Sequence, residues 1–121
     1  MITDIFIKPI EINVNDKTYK LEYDHNAYSK LELKLNKGIF AIMEELTSGN
    51  FKIDDYINTA VCGLLKLHSD KEIKSIKKEF EKNPYLLLKN VPAISAAYIQ
   101  PLTPPEVLKK LENKKKEMKT L

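Results

Sequence analysis

The sequence has no arginine: all 20 of its basic residues are lysine. Arginine's planar fork supplies bidentate hydrogen bonds to guanine and to carboxylates, so its absence disfavours sequence-specific DNA reading. Tryptophan is missing too, and the single cysteine, Cys62, excludes an intrachain disulfide. There are three glycines, Gly38, Gly49 and Gly63. A phosphate-cradling loop is hard to build from so few, and neither Gly-x-Gly-x-x-Gly nor a Walker lysine loop occurs. Cys-x-x-Cys and His-Glu-x-x-His are also absent, which removes the common zinc signatures. No apolar run reaches the ~18 residues of a bilayer span, so no membrane association is expected. The start, Met1-Ile2-Thr3-Asp4, has no basic segment leading into an apolar one, which predicts no secretory signal.

What is present suits one packed domain. The chain has 121 residues, 43% of them hydrophobic and 31% charged, with a net charge of +3. That length matches a single domain, and the apolar content argues against disorder. The charge is uneven. It sums to zero over 1–37, to −3 over 38–70 and to +6 over 71–121.

The first 23 residues alternate with period two. Ile10, Ile12 and Val14 alternate with Glu11 and Asn13, and Tyr19, Leu21 and Tyr23 with Lys20 and Glu22. Asn15-Asp16-Lys17 between them is turn chemistry, so a β-hairpin is expected over 9–14 and 18–23, with Ile5-Phe6-Ile7 as a candidate third strand. Asp24 then caps a helix carrying Ala27, Tyr28, Leu31 and Leu35 on one stripe, with Gly38 as its stop. Ile39, Ile42, Met43 and Leu46 mark a second helix ending at Gly49. Asp54 is the expected cap of a third, over 55–68, apolar nearly all round and therefore central. Ser69-Asp70-Lys71-Glu72 is a capping box opening a fourth, with Ile73, Ile76 and Phe80 inward. Asn83-Pro84 restarts the chain into an apolar segment that Pro92 should kink or split. Gln100-Pro101-Leu102-Thr103-Pro104-Pro105 is the candidate hinge, followed by a lysine-rich helix over 104–119.

The expected class is α+β, mostly α-helical: a hairpin packed on five to six helices, with an extended C-terminal helix. Residues 1–102 form the globular domain and 103–121 a basic helical arm.

Nothing in the pattern argues for catalysis. His25 and His68 read as partly exposed surface histidines, and Cys62, among Val61, Leu64 and Leu65, as a small buried hydrophobe. Neighbours on a helix point about 100° apart, so Asp54-Asp55 and Glu44-Glu45 do not converge as catalytic pairs. Asp54-Asp55 reads as helix-start charge, Glu44-Glu45 as a solvated face. No enzyme activity and no cofactor is expected.

At the hairpin-to-helix junction the chain resembles a known family. The run INVNDKTYKLEYDHNAYSKLELKLNKGIFAIMEEL is similar to the opening of the tail assembly chaperones of long-tailed bacteriophages and prophages. The matching residues are Ile12, Val14, Lys17, Tyr19 and Leu21, then Asp24, Asn26, Ala27, Leu31, Glu32 and Gly38. The similarity covers 10–68 at motif level and departs at Asp16, where such hairpins often carry glycine. It implies a non-enzymatic assembly factor that coats the tape measure protein, keeps it soluble and helps recruit major tail tube subunits. It also implies action in the host bacterial cytoplasm and absence from the mature virion. Self-association is compatible with a coating role, though no heptad seam specifies it.

Such a factor needs shallow apolar surface for an amphipathic partner helix. The candidates are Leu86, Leu87, Ile94, Tyr98, Leu108 and Leu111. The competing reading is that these residues close the monomer core. A rival function is a small nucleic-acid-associated regulator using the basic C-terminal region. There, Glu106, Glu112 and Glu117 interrupt the lysines and no aromatic residue offers a stacking platform, so nucleic acid is disfavoured.

Overall fold

The chain reverses at Asn15-Asp16, where both residues adopt positive φ (49° and 68°). A two-residue turn of this kind needs the left-handed region twice, and asparagine and aspartate tolerate it best after glycine. Asp16 therefore serves without a glycine, and Lys17 already belongs to the returning strand. The computed structural model of the protein describes residues 10–104, 106 and 107. Strands β1 (Ile10–Val14) and β2 (Lys17–Leu21) pair antiparallel, with Val14 opposite Lys17 and Ile10 opposite Leu21. The alternation is as the sequence predicts: Ile12, Val14 and Leu21 are buried, while Glu11, Asn13, Thr18 and Lys20 face out. The candidate strand at Ile5-Phe6-Ile7 lies outside the described residues.

A two-stranded hairpin is marginal alone and leaves open edges. Pairing alternates in an antiparallel ladder, so the backbone groups of Asn13 and Lys20 turn away from the partner strand. Side chains meet both. Asn90 accepts from the Asn13 N–H at 3.0 Å and donates to its carbonyl at 2.8 Å. His68 Nε2 lies 3.1 Å from both the N and the O of Lys20.

Among the described residues five full helices follow: α1 (His25–Leu35), α2 (Ile39–Ser48), α3 (Ile53–Leu64), α4 (Asp70–Lys82) and α5 (Pro84–Ile99), with a 3₁₀ turn over Gln100–Leu102. This is α+β and mostly helical, as expected. Helix α3 is central and packs on β2, α1, α4 and α5. Helix α5 packs on β1, α2, α3 and α4.

Several boundaries differ from the sequence reading. Asp24 caps α1 through Ala27 N–H, but the helix stops at Asn36, in left-handed conformation (φ 53°), and Gly38 instead precedes α2 with extended backbone. Asparagine fills the C-terminal position two residues earlier than glycine would. Gly49 ends α2 as expected, at φ 76°. Lys52, not Asp54, is the N-cap of α3, so Asp54 and Asp55 sit inside the first turn, where carboxylates favour the positive end of the helix dipole. That helix ends at Leu64, so His68 lies beyond it. Pro92 neither ends nor splits α5, although it withdraws one N–H from the ladder. The Ser69–Glu72 capping box forms with both of its reciprocal bonds.

The core is joined by a tyrosine trio. Tyr23, Tyr28 and Tyr98 have ring centroids 5.2 to 5.6 Å apart. Their hydroxyls donate to the carbonyls of Thr59, Tyr98 and Ile39. Burial pushes all three phenols above their ordinary range. Gly63 lets α3 approach this trio: a Cβ there would stand 2.7 Å from Tyr23 Cζ.

Candidate interaction surface

Tyr85-Leu86-Leu87-Leu88 are four large side chains in a row on one helix. Successive residues turn about 100°, so one core cannot receive them all. Leu87 goes in with Asn90, Ile94, Ala97 and Tyr98, and Leu86 is half-buried. Tyr85 (71% exposed) and Leu88 (67%) are left outside. Pro92 and Ala96 are exposed as well. The steps 85, 88, 92 and 96 keep these residues on one stripe, opposite the buried face. Helix α5 is therefore largely apolar on both sides; its one charged residue, Lys89, sits at the border of the outer stripe, four residues after Tyr85. Helices with this composition are usually buried all round.

Beside that stripe lies an apolar groove of about 270 Å³. Its α5 wall is Pro84, Leu87, Leu88 and Val91, and its other wall is Phe51, Ile53 and Tyr56. Phe51 and Tyr56 meet edge to face at 4.9 Å, which stiffens that wall. Ile53, the first residue of α3, is half exposed at 50%. Large exposed apolar side chains on one stripe, next to a groove, mark contact with another polypeptide more often than scattered ones do.

The sequence-stated candidates divide three ways. Leu87, Ile94 and Tyr98 are sealed in the monomer core, and Tyr98 is hydrogen-bonded there. Leu87, though buried, also lines the groove. Leu86 is half-buried against the core. Leu108 and Leu111 lie outside the described residues. Tyr85 and Leu88 are the residues that reading passed over. Their signal was the run of four, which had to leave some members out.

Comparisons with family models, with curated proteins and with solved structures find no match.

The polar candidates do not assemble into a reactive site. His25 is exposed. His68 is half-buried, engaged with Lys20 and 3.9 Å from Glu72, and its ring meets Tyr19 edge-on. Burial pushes the Cys62 thiol up, the opposite of what a nucleophile needs. Glu45 pairs with Lys37 at 2.7 Å, and Glu44 is solvated. Among the described residues no three His, Cys, Asp or Glu side chains gather as metal ligands. Among them, too, no helix is long and apolar enough to cross a membrane.

Proposed function

We propose that this chain is a phage tail assembly chaperone that seats amphipathic helices of the tape measure protein on the outer face of α5. The observation that carries the reading is the uncovered stripe of Tyr85, Leu88, Pro92 and Ala96 along the groove. The resemblance over 10–68 supports it from the other half of the chain. An unassembled tape measure exposes long apolar stripes, and a helix-in-groove contact covers them with few polar demands. On this reading the chain acts in the host bacterial cytoplasm, helps recruit major tail tube subunits and leaves before the virion is finished.

The test is co-expression with a tape measure protein encoded in the same genome. Wild type should move that protein from the pellet to the soluble fraction and co-purify with it at high salt. Leu88→Asp with Tyr85→Ser should abolish both effects while the variant itself stays folded. A tape measure equally insoluble with and without this chain refutes the proposal.

A further inference from the structure

Helix α4 carries its lysines in a row. Lys71, Lys74, Lys78 and Lys82 step by three, four and four residues. At about 100° per residue they share roughly 80° of arc, facing away from Ile73, Ile76 and Phe80. All four are exposed. The ridge is about 16 Å long at 1.5 Å per residue.

None of the four lysines makes a salt bridge among the described residues. The nearest acids on one flank are occupied: Glu72 by the Ser69 cap and Glu79 by Asn15 at 2.8 Å. Those bonds to Ser69 hold the Glu72 carboxyl below its usual range. Asp70 and Glu81 lie along the other flank with Lys77 between them, all three exposed. Lys17 of the hairpin lines a shallow depression with Lys71, Glu72 and Ser75, and so adds positive charge beside Glu72 on the first flank. Like charges three and four residues apart oppose helix formation, and Lys71 stands at the unfavourable end of the helix dipole. Asp70 and Glu72 in the first turn and Lys82 in the last offset this along the dipole; the repulsion within the lysine row is relieved by an opposing negative charge.

We infer that this ridge docks an acidic helix of a partner protein, one with a single row of carboxylates bordered by lysines or arginines. The border matters. The ridge is one residue wide, and its flanks carry four carboxylates, Asp70, Glu72, Glu79 and Glu81, against two lysines, Lys77 and Lys17. A helix with the inverse pattern pairs with the centre and with Asp70 and Glu81, which no described hydrogen bond or ion pair engages. A nucleic-acid backbone or an anionic membrane brings negative charge everywhere, so the flanking acids would repel it. The inference rests on the chaperone reading only in taking the partner to be helical.

Two synthetic helices of identical composition test it by fluorescence anisotropy, one with its glutamates in a single bordered row and one with them scattered. In about 50 mM NaCl the row peptide should bind about tenfold more tightly than the scattered one, and raising the salt to about 300 mM should weaken it about tenfold. Lys74→Glu with Lys78→Glu should erase the preference while the far-UV spectrum is retained. Equal binding of the two peptides overturns the inference, as does no binding. Tighter, lysine-dependent binding of duplex DNA or of phosphatidylglycerol vesicles overturns it as well. Co-expression separates the two proposals. If wild type solubilises the tape measure while the two peptides bind equally, the ridge proposal fails and the chaperone reading stands. If wild type does not do so while the peptide preference holds, the reverse follows.

Discussion

Helices α4 and α5 are joined by one residue, Asn83, and share a core, yet their outer faces are opposites. Helix α4 separates its chemistry: Ile73, Ile76 and Phe80 inward, lysines outward. Helix α5 does not. It buries Leu87, Ile94 and Tyr98 and also shows Tyr85, Leu88, Pro92 and Ala96 to the outside. Folding alone accounts for α4's inner face and for α5's inner face. It accounts for neither outer one, because water asks only for polarity there, not for a charged row or an apolar stripe. The functional proposals are drawn from those two remainders.

The largest expected effects fall on the shared interior. Phe80→Ala in α4 and Ile94→Ala in α5 each remove a fully buried side chain. Urea unfolding should show losses of about 3–5 and 2–5 kcal/mol respectively. Equal severity on the inner faces is what makes the contrast of outer faces meaningful. A mild Ile94→Ala would mean that α5 is only loosely packed, and its exposed stripe would lose its force.

Asn90 is next. It is the buried polar group on α5's inner face, and it supplies both a donor and an acceptor to Asn13. Asn90→Leu should cost about 1–3 kcal/mol, because the Asn13 N–H and C=O lose their partners at a strand edge. Amide exchange at Asn13 should speed up more than at Lys20, whose backbone rests on His68 instead.

Much of this was legible in the sequence. Period-two alternation located the hairpin, and the Ser69–Glu72 spacing located the start of α4. Both are local signals, decided within a few residues. The missed boundaries were contests between near-equal local options. Asn36 took the left-handed stop from Gly38, and Lys52 opened α3 ahead of two aspartates that serve equally well one turn in. The candidate surface was half legible. The leucine run announced excess apolar side chains. Which of them face the core depends on where α5 crosses β1 and α3, a long-range fact that spacing does not contain. The buried roles of Asn90 and Gly63 were illegible for the same reason, since their partners lie 77 and about 40 residues away in sequence.

A smaller effect belongs to α4's first turn. Ser69→Ala should destabilise by about 1 kcal/mol, a usual size for losing an N-cap. The same site gives a pH dependence. The Glu72 carboxyl is depressed by its bonds to Ser69, so its contribution is present above the unfolded-state pKa and is lost as pH falls through the lower folded value. Unfolding midpoints between pH 5 and 2 should fall less steeply in Glu72→Gln than in wild type. Parallel slopes would show that the carboxylate bond adds nothing to the cap.

The smallest expected change in stability is the sharpest probe of the comparison. Exchanging the outer faces, Leu88→Lys with Tyr85→Lys in α5 or Lys74→Leu with Lys78→Leu in α4, removes no described hydrogen bond or ion pair. Substitutions of this kind usually stay within about 0.5 kcal/mol, so thermal midpoints should barely move. Behaviour towards other molecules should move a great deal. The α5 exchange should reduce binding of an apolar-surface dye and any self-association seen by light scattering. The α4 exchange should extend the apolar surface across Asn83 and promote aggregation. A large stability loss in the α5 variant would show that Tyr85 and Leu88 belong to the fold after all, through contacts tighter than their exposure indicates. The outer stripe would then be an overflow of the core, and the case for a docking face would have to be made on the lysine ridge alone.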